Sequence, residues 1–143
     1  ENHHPETHLI PKILETIKNK RKKIYVYGNT YKTKDGTCIR DYIHVNDIAR
    51  AHYYGLKKFK DSKCTLSYNI GTGKGYSVLE IIKGIEIITK KKLNIIFKKK
   101  RKGDPPILVA ECKKIFKELK WKPNYKNINK ILLTAWKWHK KPY

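Results

Sequence analysis

Apolar residues recur at helical spacing along this chain, with β-rich runs between the helical stretches. Residues 9–20, LIPKILETIKNK, place Leu9, Ile10, Ile13, Leu14 and Ile17 on one helical face, with Pro11 accommodated in the first turn. IYVY at 24–27 is a short strand stopped by Gly28-Asn29. The polar loop YKTKDGT carries Asp35-Gly36 as its turn signal, and CIRDYIHV at 38–45 reads as strand and loop. Asn46 or Asp47 is expected to cap a helix running to about residue 59, with Ile48, Ala51, Leu56 and Phe59 among its apolar positions. CTLSYNI at 64–70 reads as a strand that enters the glycine-rich turn GTGKG. Ser77 and Glu80 form a capping box for a helix to about residue 89. A strand at 93–97, a helix at 111–119 and a last helix from about residue 127, bearing Ile131, Leu132, Ala135 and Trp136, complete the pattern.

This β/α alternation argues for an α/β chain whose strands are too few and too scattered for a complete doubly wound sheet. At 143 residues there is room for one domain. An apolar fraction of 39% with 11% aromatics separates the chain from a disordered tail. No membrane span is expected, because the most apolar stretch, at 78–88, is interrupted by Glu80, Lys83, Gly84 and Glu86. The polar, His-rich start does not read as a secretory signal. With no methionine, the chain is expected to be a fragment or processed form. Cys38, Cys64 and Cys112 are odd in number and lack CxxC spacing, so they read as reduced thiols of a cytoplasmic protein.

Lys plus Arg number 34 against 12 Asp plus Glu, giving +22. Such a charge, with basic runs at 20–23 and 98–102, is the electrostatic footprint of a nucleic-acid binder. The basic residues nevertheless spread along the whole chain, and no nucleic-acid fold motif accompanies them. They read as lysines filling solvent-facing positions, and no specific nucleic-acid partner is expected.

Candidate chemistry narrows to one set of residues. Gly71, Gly73 and Gly75 form GxGxG between a strand and a helix, but a dinucleotide fingerprint needs glycine where Tyr76 stands, so a tight turn is the better reading. Tyr53 with Lys57, and Tyr54 with Lys58, have the spacing of a catalytic Tyr/Lys pair but equally of ordinary neighbours on a helix surface. His3, His4 and His8 cluster without rigid elements to hold a metal. Arg40 and Arg101 each lie near a loop, Asp104 follows Arg101 by three residues, and Tyr27 and Tyr42 supply aromatic faces. Two guanidinium forks suit a diphosphate, a carboxylate suits a ribose diol and an aromatic face suits a base. From two arginines alone, ordinary salt bridges explain the pattern equally well.

The ordered run Gly28-Asn29-x-Tyr31-x-Thr33-x-Asp35-Gly36-Thr37-x-x-Arg40-Asp41-Tyr42-Ile43-His44-Val45 decides between these. Together with Asn69-x-Gly71-Thr72-Gly73-x-Gly75-Tyr76-Ser77-Val78 and Arg101-x-Gly103-Asp104, it resembles the UDP-glucose 4-epimerases, a family of extended short-chain dehydrogenase/reductases. The resemblance runs from Leu9 to Trp138 and implies that residues 1–143 are the C-terminal, substrate-binding part of a Rossmann-type fold whose N-terminal NAD-binding domain is absent. It implies an NAD-dependent isomerase of galactose metabolism that interconverts UDP-glucose and UDP-galactose by transient oxidation at C4, a homodimer when complete. This chain would supply substrate binding and no catalytic residue. By the same resemblance His8, Leu9, Tyr25, Tyr27, Arg40, Tyr42, Val78, Arg101, Asp104 and Leu108 are the substrate-binding residues. His8 replaces the family's ligand-contacting Asn, and Leu108 stands where the family varies its pocket wall. The helix after Val45 and the strand at 64–70 would lean on the N-terminal half. Two alternatives are a basic, non-catalytic module that reuses the fold and another sugar-nucleotide epimerase or dehydratase. Joint retention of Arg40, Tyr42, Arg101 and Asp104 argues against the first.

Overall fold

A computed structural model describes residues 6–19, 23–60 and 65–140. Its elements follow in the order α1 (Leu9–Lys18), β1 (Lys23–Tyr27), β2 (Ile39–Asp41), α2 (Val45–Lys60), β3 (Gly75–Ser77), α3 (Val78–Thr89), β4 (Asn94–Lys98), β5 (Ile107–Leu108), α4 (Lys113–Glu118) and α5 (Ile128–His139). His3, His4, Cys64 and most of the basic run at 20–23 lie outside the described residues.

Two small sheets form. In one, β1 pairs in parallel with β4, setting Tyr25 opposite Ile96 and Tyr27 opposite Lys98. The alternation of β1 turns Ile24 and Val26 into the core and leaves Tyr25 and Tyr27 on the outer face. In the other, β2 lies between antiparallel β3 and parallel β5, with Arg40 opposite both Tyr76 and Leu108. A parallel pair of strands is marginal in isolation. Helices α1, α3 and α5 cover it, burying Ile13, Leu14 and Ile17 against Ile81, Ile82, Ile85 and Leu132. The expected capping box starts α3: Ser77 accepts from the Glu80 N–H at 3.1 Å, and Glu80 accepts from the Ser77 N–H at 2.8 Å.

A second core lies between α2 and α4. Ala51, Cys112, Ile115 and Leu119 surround Trp121, which is fully buried. The outer side of α2 has no such cover. Leu56 is 64% exposed and Phe59 59% exposed, and Leu66, Tyr68 and Ile70 face them across an apolar groove of about 290 Å³.

Two expectations are corrected. The start of α2 is capped by His44, not by Asn46 or Asp47: its carbonyl accepts from the Asp47 and Ile48 N–H groups, and its Nδ1 accepts from the Asn46 N–H at 3.1 Å. Asp47 lies inside the first turn, fully buried, where its carboxylate accepts from the Asn124 and Tyr125 N–H groups, both at 2.9 Å, and from Arg50 at 3.0 Å. Those amides need an acceptor beneath them, and Asp47 is the one supplied. Second, residues 65–70 form no strand. Strand pattern alone does not make a ladder, and this stretch is held by side chains instead: Lys114 donates to the Ser67 carbonyl at 3.0 Å and Asn69 to the Glu111 carbonyl at 3.4 Å.

Asp47→Ala would leave the Asn124 and Tyr125 N–H groups without their acceptor and take from Arg50 one of its two, the Lys122 carbonyl at 3.3 Å remaining. The expected loss is about 2–4 kcal/mol, read as a lower urea midpoint at unchanged slope.

Candidate functional site

The gap between the two sheets is the chemically dense part of the molecule. The Gly28 N–H donates to the Lys98 carbonyl at 2.9 Å, extending the β1–β4 pairing, while the Ile39 N–H donates to the Pro106 carbonyl at 2.8 Å and leads into the β2–β5 pairing. The loop at 99–106 therefore has one end fixed beside each sheet and must bridge them. Within it, the Asp104 N–H donates to the Arg101 carbonyl at 3.3 Å. Gly103 sits at φ +79° in that tight turn, a conformation costly to any residue with a Cβ. The R-x-G-D spacing is the geometry of this turn, which presents Arg101 and Asp104 at its two ends.

Beneath the loop is a cavity of about 200 Å³. Leu9, Tyr25, Tyr27, Arg40, Tyr42, Val78, Arg101 and Asp104 all line it, so eight of the ten candidate residues converge from α1, β1, the β2 segment, α3 and the loop. Leu108 lies in a neighbouring cavity with Asn69, Ala110 and Glu111, and Arg40 borders both cavities. His8 lies outside both linings. It precedes α1, and its backbone N–H and Nδ1 meet the Glu6 carboxylate at 2.7 and 2.9 Å, while Thr7 faces the cavity in its place. Lys12 and Cys38 also line the cavity, and sequence reasoning missed both. Lys12 could have been found one turn after Leu9 on the same helix face; nothing in the sequence marks Cys38.

Cation and aromatic groups organise the wall. The Arg101 guanidinium lies over the Tyr27 ring at 4.3 Å from its centroid, and Lys98 over Tyr25 at 5.1 Å. Arg40 donates to the Asp104 carboxylate and, at 2.7 Å, to the Ile39 carbonyl. The two groups suited to a diphosphate and a ribose are thus paired with each other. Burial pushes the Cys38 thiol above its ordinary range, and burial does the same, more strongly, to the Tyr42 phenol. Neither group is a ready nucleophile or base near neutrality.

Other candidates resolve as structure. Lys57 lies over the Tyr53 ring at 4.7 Å on the open surface of α2. His44 stacks on Tyr125 with ring centroids 3.8 Å apart, and its Nε2 meets Thr134 Oγ1 at 3.0 Å. Because Nδ1 accepts a backbone N–H, Nε2 carries the proton and donates. No group of three or more His, Cys, Asp or Glu among the described residues is arranged to hold a metal ion.

The glycine turn does not fit NAD. Its free amides would have to face a pyrophosphate. Here the Thr72 and Gly73 N–H groups donate to the Asp41 carboxylate at 3.0 and 2.9 Å, and a Cβ at Gly71 would lie 2.5 Å from Asp41 Oδ2. The donors are occupied and the neighbouring charge is negative.

A sequence model of the NAD dependent epimerase/dehydratase family matches residues 1–71. The UDP-glucose 4-epimerase of Lacticaseibacillus casei is 43% identical over 139 residues, covering 97% of this chain and 42% of that protein. The crystal structure of the Brucella ovis UDP-glucose 4-epimerase in complex with NAD superposes with a TM-score of 0.88 at 39% identity, over 97% of this chain and 43% of that one. The Bifidobacterium longum enzyme in complex with NAD+ and UDP gives 0.84 at 37% identity, over 92% and 38%. The fold is thus the α/β fold of the short-chain dehydrogenases. Within that class, the epimerase/dehydratase model takes in the first 71 of the chain's 143 residues, and the similarity to UDP-glucose 4-epimerases runs over 97% of the chain. It spans about 42% of the length of the curated relatives it matches.

One prediction concerns Asp35, which ties the loop before β2 to α3. Its carboxylate accepts from the Thr37 N–H at 2.9 Å, from the Thr37 hydroxyl at 2.7 Å and from the Ser77 hydroxyl. Burial pushes its pKa up, but these hydrogen bonds outweigh it and hold the group below its ordinary value of 3.8. A depressed carboxyl contributes stability that is present above its unfolded pKa and lost as pH falls through the folded one. Acid denaturation should therefore lose a component below pH 3.8 that Asp35→Asn removes, seen as a flatter acid limb in the unfolding free energy.

Proposed function

We propose that this chain is the C-terminal UDP-sugar-binding region of a UDP-glucose 4-epimerase. One observation carries the reading: eight residues from separate segments, expected on resemblance alone to hold a UDP-sugar, line a single cavity, and Arg40 connects it to the neighbouring cavity that holds Leu108. The nucleoside lies against the tyrosine wall of β1, with Asp104 accepting from the ribose diol. The diphosphate lies between the forks of Arg40 and Arg101 and must compete Arg40 away from Asp104. The hexose extends toward Leu108, which sets how much bulk the sugar carries.

In this reading the redox step at C4 belongs to a region outside this chain, since the described residues offer neither a dinucleotide cradle nor a poised base. That region, which the relatives carry in their additional length, binds NAD and covers the apolar groove beside Leu56 and Phe59. The complete protein acts on UDP-glucose and UDP-galactose as a cytoplasmic homodimer.

Two measurements test the proposal. In calorimetric titrations of the complete protein, Arg101→Ala should weaken UDP binding by about 2–4 kcal/mol, the loss expected for a charge-assisted contact. Arg101→Lys should also lose affinity, because an ammonium cannot present the same fork. Unchanged affinity in the Ala variant would remove Arg101 from the site. Separately, the 143-residue chain with added NAD should convert no UDP-galactose to UDP-glucose, because it lacks the groups that move the hydride and the proton.

A further inference from the structure

The cavity wall carries more positive charge than its own carboxylate answers. Lys12, Arg40 and Arg101 line it against a single acid, Asp104, and Arg40 already holds that acid. Arg101 lies over the Tyr27 ring. Lys12 has no counterpart of either kind. Among the described residues no carboxylate forms an ion pair with it, and Glu6, near the start of its helix, accepts instead from His8.

Lys12 also departs from the other lysines. Every other described lysine is exposed, as expected of an ammonium that stays hydrated, whereas Lys12 is half-buried in the cavity wall. Its backbone is fixed in the first turn of α1. The Lys12 N–H donates to the His8 carbonyl at 3.1 Å, and its carbonyl accepts from the Thr16 hydroxyl at 2.8 Å. Helical spacing sets it on one face with Leu9, which lines the same cavity, while Ile13 and Leu14 beside it enter the core. Partly withdrawing an unpaired ammonium from water is costly. A lysine that only covered apolar surface with its stem would run its head out to solvent. An unpaired, half-buried ammonium in the same cavity as a second guanidinium without a carboxylate partner leaves a surplus of two positive charges. A ligand with two or more negative charges neutralises it.

We propose that Lys12 is a ligand-binding residue of this cavity, a third cation that holds the diphosphate of a nucleoside diphosphate. This deepens the nucleotide reading given above and rests on it. The three cations differ in what binding asks of them. Arg40 has to leave Asp104 before it serves a phosphate, and Arg101 is held over Tyr27. Lys12 has no ion pair to break, so its ammonium meets the anion without that cost. A compact charge with rotatable donors follows phosphate oxygens without demanding the single geometry of a guanidinium fork.

Two substitutions separate charge from shape. Lys12→Met keeps an unbranched stem and removes the charge, and Lys12→Arg keeps the charge. In calorimetric titrations of the complete protein at low ionic strength, Lys12→Met should weaken UDP binding about tenfold, the order expected for one contact to a charged group. Its thermal midpoint should stay or rise, because the free protein loses an unpaired, half-buried ammonium. Lys12→Arg should keep most of the affinity. Added salt should narrow the gap between the parent and Lys12→Met, because salt screens a contribution made by charge. UDP binding as tight in Lys12→Met as in the parent would overturn the proposal. So would an equal loss in Lys12→Met and Lys12→Arg that salt does not change, which is the behaviour of a residue that only shapes the wall. Failure of the parent to bind UDP would instead overturn the nucleotide reading itself, and this inference with it.

Discussion

Three carboxylates six residues apart hold this fold together. Asp35, Asp41 and Asp47 lie in one continuous segment, and each accepts hydrogen bonds that fix a different, distant stretch of chain. Asp35 takes the Ser77 hydroxyl and so anchors the start of α3. Asp41 takes the Thr72 and Gly73 amides, with the Ala110 N–H at 3.4 Å. Asp47 takes the amides of Asn124 and Tyr125. Multiple donors make a shielded carboxylate tolerable, and the same bonds satisfy loop amides that regular secondary structure leaves without acceptors. With strands this short, the loops need such anchors, because sheet hydrogen bonding alone cannot set their positions.

The cavity is a consequence of that arrangement. Arg40 and Tyr42 sit on either side of Asp41, so fixing Asp41 also fixes the cavity wall. The loop carrying Arg101 and Asp104 is tied at both ends by strand pairing, and its glycine turn sets the separation of the two side chains. From Cys38 to Tyr42 the segment is therefore divided by parity: Cys38, Arg40 and Tyr42 line the cavity, and Asp41 serves the framework beneath it. Change at the framework positions would displace the cavity without touching it.

Charge, the most conspicuous property of the composition, organises less than it suggests. The lysines described lie mostly at exposed positions, several of them over aromatic rings. Such contacts cover tyrosine faces while leaving the ammonium hydrated. The run at 98–102 is used locally: Lys98, Lys100 and Arg101 each lie over a tyrosine of the segment from β1 to Tyr31.

The sequence by itself determined the elements whose signals are local. The helical period of α1, the capping box of α3, the start of α5 near residue 127 and the β-rich run of β1 each depend on residues within one or two turns, and all appear where the pattern placed them. The resemblance likewise led to ten residues, eight of which the fold brought into one cavity; within 38–42 the spacing of a strand sets Arg40 and Tyr42 on the same side. Only the tertiary structure decided the rest. It made Asp47 an anchor for a loop far along the chain rather than a helix cap, and it denied residues 65–70 a ladder despite their strand pattern. It turned His8 toward Glu6, set Lys12 and Cys38 into the cavity wall, and left the Tyr31 hydroxyl buried without a partner. In each case the partner, or its absence, is a property of distant segments, and local periodicity carries no information about where a buried donor or acceptor will find its complement.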